Sequence, residues 1–432
     1  MLHVIPTIAL LVLSILVLSS CTSTSTSTST PILSQKNSCH IIYDAGSSGT
    51  RLFIYEQSGT DLFAHSGPKI EALATPLNVN NPSQMTDIEN TVNHVINTLE
   101  LIRHDGERDD RGNPEWRGFD WVNQCNMVSA KIYATAGMRM AQQTNPEGSL
   151  AMWQALKSTL ADKVGPEVLV EAKTITGFEE GLYAWLSVRG TQSTTDFGIV
   201  EMGGVSSQVT FACPDCSLAN DAVRKVRLNG KPIQIYSYSY LGLGQDAAPK
   251  TLTFPTIDPV PENCAYGVGA RQKDWRVADC ADDILLTIQG TSSEIKDPYN
   301  YALAREKGAN EPKALKEANQ TKETKEKKGT TNTLPKSQKS IPKWTLTGAF
   351  NYKKDTDINE CCFNEGHGCY HKQTSCFVPV YLDKYLETLN ILPAQTTKNH
   401  VSWTRGAVQC EIENCLGDMA TPPVCRWMPS GC

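Results

Sequence analysis

The stretch Asp44-Ala45-Gly46-Ser47-Ser48-Gly49-Thr50-Arg51 most constrains what this chain can fold into. The run His40-Ile41-Ile42-Tyr43 leads into it and Leu52-Phe53-Ile54-Tyr55 leads out. This is the pattern of a β-hairpin whose tight loop is made of Gly and Ser. Such a loop can turn successive backbone N–H groups inward to form an anion-binding concavity, with serine hydroxyls added. Asp44, at the mouth of the loop, is placed to hold a hydrated cation beside the anion. Arg51 supplies a fixed positive charge nearby.

The plan recurs. Phe197-Gly198-Ile199-Val200 leads into Glu201-Met202-Gly203-Gly204-Val205-Ser206-Ser207, and Gln208-Val209-Thr210-Phe211 follows. One Gly/Ser hairpin is an ordinary turn. Two of them, each with a carboxylate ending its first strand, predict a duplicated fold with two phosphate loops facing across a cleft. Strands and helices alternate through the early part of the chain: a helix over 87–103, a strand and small-residue loop over 131–139, a helix over 150–164, a strand over 168–175 and a further helix over 182–188. The fold class expected is α/β, with mixed sheets in two related domains and the site between them.

A chain of 432 residues has room for two such cores. A net charge of −6 argues against nucleic acid as a partner, so an anionic ligand must be held by local features. Residues Val4 to Leu18 form an apolar run of about 15 residues, short for a membrane span and suited to a signal-peptide core. Leu18-Ser19-Ser20-Cys21 resembles a bacterial lipobox, which would make Cys21 a lipid anchor; an ordinary cleaved signal is the other reading. The expected organisation is a signal peptide over 1–20, a Ser/Thr-rich tether over 21–37, a first domain over 38–170 completed by 405–432, and a second domain over 171–404. A low-complexity insertion at 300–340 falls within the second domain. The 15 cysteines fit an exported protein with a disulfide framework. Zinc is the other reading of Cys213-Pro214-Asp215-Cys216 and of Cys361, Cys362, Cys369 and Cys376 with their neighbouring histidines, although neither spacing is that of a standard finger.

A phosphate cradle becomes a hydrolase if a water is held in line with phosphorus and a base takes its proton. Glu179-Glu180 follows a strand and a glycine-bearing turn, where a carboxylate can face the cleft. The pair can equally be a helix N-terminus preferring acidic residues. Ser206 and Gln208 can hold a water without competing for its proton, and Thr135 can do so from the other side.

Taken together these motifs resemble the NTPDase (apyrase) family, whose members have the actin–hexokinase–Hsp70 fold of two related RNase H-like (actin-like ATPase) domains. Asp44 to Arg51 matches that family's first conserved region residue for residue. Ala134-Thr135-Ala136-Gly137-Met138-Arg139 matches the second, and Glu179-Glu180-Gly181 with Tyr183 and Trp185 is similar to the third. Gly203-Gly204-Val205-Ser206-Ser207-Gln208 resembles the fourth, and Tyr238 to Gly244 a further segment. The resemblance covers roughly residues 38 to 290.

The resemblance implies an exported hydrolase of nucleoside tri- and diphosphates (ATP, ADP, GTP, GDP) that uses Mg²⁺ or Ca²⁺. It implies Glu180 as general base, with Ser206, Gln208 and Thr135 around the attacking water. Gly46, Ser47, Ser48, Gly49, Thr50 and Arg51 with Gly203, Gly204 and Val205 would bind phosphate, and Asp44 and Glu201 would hold the metal through water. The alternatives are a phosphatase for polyphosphate or guanosine pentaphosphate and a nucleotide-binding sensor with little catalysis. Two departures stand out: Glu201 falls where the family has Asp, and Arg189 where it usually has Asn. Trp344, Phe350, Tyr352 and Trp403 are candidates for stacking on a base.

Overall fold

Strand β1 (Asn37–Gly46) turns through Ser47 and Ser48 into β2 (Gly49–Ser58), with Asp44 opposite Arg51 and Gly46 opposite Gly49. Gly49 sits at φ +148°, and a Cβ there would run into the side chain of Lys69 and lie 2.7 Å from Ile70 O, so the turn exit requires glycine. β3 (Asp61–Ile70) pairs antiparallel with β2, and β4 (Cys125–Ala134) pairs parallel with β1. β5 (Leu169–Thr174) pairs parallel with β4, which completes a five-stranded sheet of order β3-β2-β1-β4-β5. The computed structural model describes residues 36–77, 82–191, 194–248, 278–282, 284, 341–352 and 377–417. The expected signal segment and Cys21, the 300–340 insertion and the cysteines between 361 and 376 lie outside the described residues.

The second sheet repeats the first. β6 (Gly198–Met202) and β7 (Ser206–Ala212) form the second hairpin, and β9 (Lys231–Leu241) pairs with β7. β10 (Trp344–Gly348) runs parallel to β6, and β11 (Thr396–Lys398) parallel to β10. The order is β11-β10-β6-β7-β9-β8, where β8 (Val223–Leu228) is an added edge strand. Without β8 it is the order of the first sheet, with β6, β7, β9, β10 and β11 in the places of β1, β2, β3, β4 and β5. The expected α/β duplication is therefore present strand for strand.

The central strands are buried on both faces, as parallel and mixed sheets between helices require. From β1, Ile41 and Tyr43 enter a cluster with Val92 and Leu99 of helix α1 (Gln84–Leu101). Ile42, pointing the other way, joins Ile199 of β6 in a middle cluster. That middle layer is built by helix α5 (Gly177–Arg189), with Leu182 and Trp185, and helix α7 (Trp403–Glu413), with Trp403 and Ala407. A third cluster, beyond the second sheet, packs Val200 and Phe211 against Tyr381 of helix α6 (Phe377–Thr388). Each of these large side chains contributes about 1.5–3 kcal/mol by burial. Further helices are a single turn α2 (Trp121–Gln124), α3 (Ala136–Thr144) and α4 (Pro146–Val164).

The elements locate the boundaries drawn from sequence. A division at 170/171 falls within β5, which belongs to the first sheet because it pairs with β4; one at 404/405 falls within the first turn of α7. Cys213 and Cys216 are joined as a disulfide, as are Cys39–Cys125 and Cys410–Cys415, so the 213–216 pair is not a zinc site. Among the described residues no helix is long and apolar enough to cross a membrane.

Candidate active site

The two Gly/Ser loops meet. A Cβ on Gly204 would collide with Ser47 Oγ and lie 2.5 Å from Asp246 Oδ2, so the loops approach this closely only because position 204 is glycine. Behind the first loop, a Cβ on Gly137 would stand 3.1 Å from Ser47 Cα, and Thr135 N donates to Ala45 O at 3.2 Å. The second loop is fixed from behind by the segment after β9. Gln245 N donates to Gly203 O at 2.9 Å, Asp246 N to Gly204 O at 2.8 Å and Gly242 N to Val205 O at 2.8 Å. This is the structural role of the Tyr238–Gly244 motif and the two residues after it: the turn presents backbone donors to the carbonyls of the second Gly/Ser loop.

Asp44 and Glu201 end the equivalent strands β1 and β6. Burial and the neighbouring Glu180 raise the Asp44 carboxyl to about 7, against the bond it accepts from Trp403 and the fields of Lys69 and Arg51. Burial, Glu180 and Asp44 push Glu201 well above the usual carboxylate range. Glu180 is also raised by burial, with Arg139 opposing. Three acids thus repel one another in a partly dry site, and Glu201 Oε2 is enclosed without a hydrogen-bond partner. An all-oxygen donor set under such repulsion fits a hard divalent cation. Among the described residues no group of three or more His, Cys, Asp or Glu side chains is placed to hold a metal ion. Gly348, at φ +67°, makes room for the longer Glu201 side chain: a Cβ there would lie 2.8 Å from Glu201 Oε1.

Glu179 and Glu180 separate cleanly. Glu179 closes a capping box, accepting from Thr176 N at 2.7 Å and Thr176 Oγ1 at 2.8 Å, and it pairs with Lys173 Nζ at 3.2 Å. Glu180, about 100° further round the helix, instead accepts from Arg139 Nη2 at 2.7 Å. The same nitrogen donates to Ser206 Oγ at 3.0 Å. Arg139 on α3 therefore joins α5 to the second sheet across the cleft. Sequence reasoning quoted Arg139 within its motif but gave it no role; its adjacency to a small-residue turn was the only available signal.

Gln208 Nε2 donates to Ser206 Oγ at 2.7 Å and to Ser239 Oγ at 3.0 Å, while its Oε1 is buried without a partner. Ser206 Oγ, accepting from Arg139 and Gln208, keeps its own proton to donate. Thr135, buried, holds the N-cap position of α3 at the edge of the first loop without a side-chain capping bond. Thr50 is buried with its hydroxyl unpartnered. Lys69 Nζ lies 3.4 Å from Ser48 Oγ, a second cation at the loop that sequence reasoning missed.

Other candidates fall elsewhere. Arg189 points to Glu413 on α7, 3.5 Å away, and takes no part in the cleft. Trp344 and Phe350 are buried in the core of the second sheet and cannot stack on a base. Trp403 is also buried, and its Nε1 donates to Asp44 Oδ1 at 3.2 Å. Of the four aromatic candidates Tyr352 is the exposed one, with its ring edge-on to His400.

Comparison with known proteins gives a consistent family. The model of the GDA1/CD39 (nucleoside phosphatase) family matches residues 122–367, more than half of the chain. Probable apyrase 5 of Arabidopsis thaliana is 28% identical over 245 residues, covering 54% of this chain and 46% of the plant protein. Ectonucleoside triphosphate diphosphohydrolase 2 of Homo sapiens is 27% identical over 232 residues, covering 48% of this chain and 41% of the human protein. The chain thus matches less than half the length of these relatives. Among solved structures, a Ppx/GppA family member from Aquifex aeolicus aligns with TM-score 0.45 at 14% identity, covering 87% of this chain and 97% of that one.

Proposed function

The chain belongs to the GDA1/CD39 (nucleoside phosphatase) family, and on that premise we propose that it hydrolyses the terminal phosphoanhydride of nucleoside tri- and diphosphates. The observation that carries this reading is the single Arg139 nitrogen shared by Glu180 and Ser206, which brings a base and a water-binding hydroxyl to one point between two glycine-rich loops.

The attacking water fits three groups of this chain. Ser206 donates its free O–H to the water oxygen, and Gln208 Oε1 accepts one of the water's protons. Glu180 accepts the other as the oxygen bonds to phosphorus in line with the departing phosphate. Arg139 opposes the burial that raises the Glu180 carboxyl and fixes the carboxylate's direction. The loops at 46–49 and 203–205, with the Ser47 and Ser48 hydroxyls, cradle the phosphate oxygens by backbone N–H donors. A Mg²⁺ or Ca²⁺ ion held through water by Asp44 and Glu201 would supply charge neutralisation at the phosphates. Thr135 stands beside the first loop, where its hydroxyl can reach the same water or a phosphate oxygen. ATP, ADP, GTP and GDP are the substrates proposed, with no part for nucleic acid.

Export belongs to the same proposal, on the apolar segment at residues 4–18, with membrane attachment confined to a lipid anchor at Cys21. The disulfides Cys39–Cys125, Cys213–Cys216 and Cys410–Cys415 fit an oxidising compartment. The division into two actin-like lobes, with α7 completing the first, is part of the same proposal.

The test is phosphate release from ATP and ADP by oxidatively folded protein, with Mg²⁺ or Ca²⁺ and with EDTA, beside Glu180→Ala. Metal-dependent release lost in the variant supports the reading. A folded, nucleotide-binding protein with no release in either form would make it a sensor.

A further inference from the structure

A cavity of about 580 Å³ lies away from the cleft and shares none of the candidate active-site residues. Its walls come from the β2–β3 turn, the C-terminal end of α5, the β8–β9 turn and one stripe of α7. The volume is in the ordinary range for a small-molecule site, roughly 300–1,000 Å³.

Its charges are unevenly satisfied. Glu413 is fully engaged: it accepts from Gln409 Nε2 at 2.9 Å and Asn229 N at 3.0 Å, and faces Arg189 Nη1 at 3.5 Å. Arg405, about two turns away on the same helix, makes no ion pair among the described residues. Its Nη1 donates to a neutral acceptor, Leu62 O, at 2.7 Å, and its Nε is enclosed without a partner. Asp61 also contributes to the wall, but it is solvent-exposed. A part-buried guanidinium that lacks a carboxylate is costly unless an anion completes it. Its planar fork matches two oxygens of a phosphate or carboxylate.

We propose that this cavity is a second ligand site, which takes a small oxyanion on Arg405 with Arg189 and Gln409 as further donors. The site is independent of the hydrolytic reading, because no residue of the cleft takes part. It has a built-in route to the cleft nonetheless. Trp403, Thr404 and Arg405 are consecutive and each bonds a neighbouring strand: Trp403 to Asp44, Thr404 Oγ1 to Tyr55 OH at 2.8 Å, and Arg405 to Leu62 O.

The test is titration calorimetry of the full chain with inorganic phosphate and, separately, with succinate. The wild-type protein should bind both, with phosphate showing a second class of site from the cleft. Arg405→Gln should weaken succinate, and one class of phosphate site, by roughly tenfold or more, the worth of one charge-assisted bond. Arg405→Lys keeps the charge without the fork and should fall between. Ser47→Ala in the cleft should leave the succinate titration unchanged. Arg189→Gln provides a second cavity variant should Arg405→Gln fail to fold, and it too should weaken succinate. Absence of succinate binding to the wild type, or wild-type affinity in folded cavity variants, would overturn the proposal. Neither result depends on whether the cleft turns over nucleotide.

Discussion

The indole Nε1 of Trp403 donates to Asp44 Oδ1 at 3.2 Å, across 359 positions of sequence. It lowers the Asp44 pKa, acting with Lys69 and Arg51 against the burial and the Glu180 field that raise it to about 7. Trp403→Phe keeps the packing and removes the donor. The Asp44 carboxyl then rises further, so more of it is protonated at neutral pH and the metal-binding form is scarcer. We expect the Mg²⁺ concentration for half-maximal phosphate release to increase several-fold at pH 6.5, and much less at pH 8.5, where the acid ionises regardless. A metal titration at the two pH values measures this.

Glu179 and Glu180 are adjacent carboxylates with separable effects. Glu180→Ala should lower phosphate release by about 10²–10⁴-fold while nucleotide binding survives, since a general base acts in the transition state. Glu179→Ala loses the capping box and should cost roughly 1 kcal/mol of stability, with turnover close to wild type. Denaturant unfolding and single-turnover kinetics on both variants distinguish the two roles; a reversal of the pattern would reassign the base.

Stability should respond to pH through groups of opposite sign, with Asp44 sharing the upper limb with the raised Glu180 and Glu201. Asp44 titrates at about 7 in the folded protein and near 3.9 when unfolded. Between those values the folded state binds the extra proton, so this contribution is fully present below about pH 4 and is lost as pH rises to about 7. Glu411 titrates at about 2, held down by His40 and Lys131 against its burial. Its contribution is present above about pH 4 and is lost as pH falls towards 2. Urea midpoints across pH 2–8 should show both limbs. Asp44→Asn should reduce the upper limb and Glu411→Gln the lower.

Gly406 lets α7 lie directly on α5, because a Cβ there would collide with Tyr183 O. Its N–H donates to Ser187 Oγ at 2.7 Å, and Ser187 Oγ donates to Ser402 O at 2.8 Å. Gly406→Ala must push the helices apart, at about 1–3 kcal/mol. A fall of several degrees in Tm is expected, measured by calorimetry without nucleotide.

Much of the frame was legible in sequence, because hairpin chemistry is local. Each hairpin carries its own turn residues and a carboxylate at a fixed offset, so the duplication could be read from Asp44 and Glu201 alone. The active-site assignments that needed a partner were less legible. Glu179 and Glu180 occupy one helical turn, and only the placement of Arg139 and Thr176 says which of them faces the cleft. Trp403 looked like a base-stacking residue because its partner is far away in sequence. The fates of Trp344 and Phe350 were set by what packs over them, which no local pattern records.

The link between Trp403 and Asp44 also sets an order of assembly. A ribosome adding roughly 5–20 residues per second needs on the order of 20–70 s to travel from one to the other. Throughout that interval β1, β2 and β3 wait for the helix whose first turn fastens all three. The first lobe is therefore the earliest to be synthesised and the last to be finished. A nascent chain halted before residue 403 would carry both Gly/Ser loops and still lack the donor to its first carboxylate.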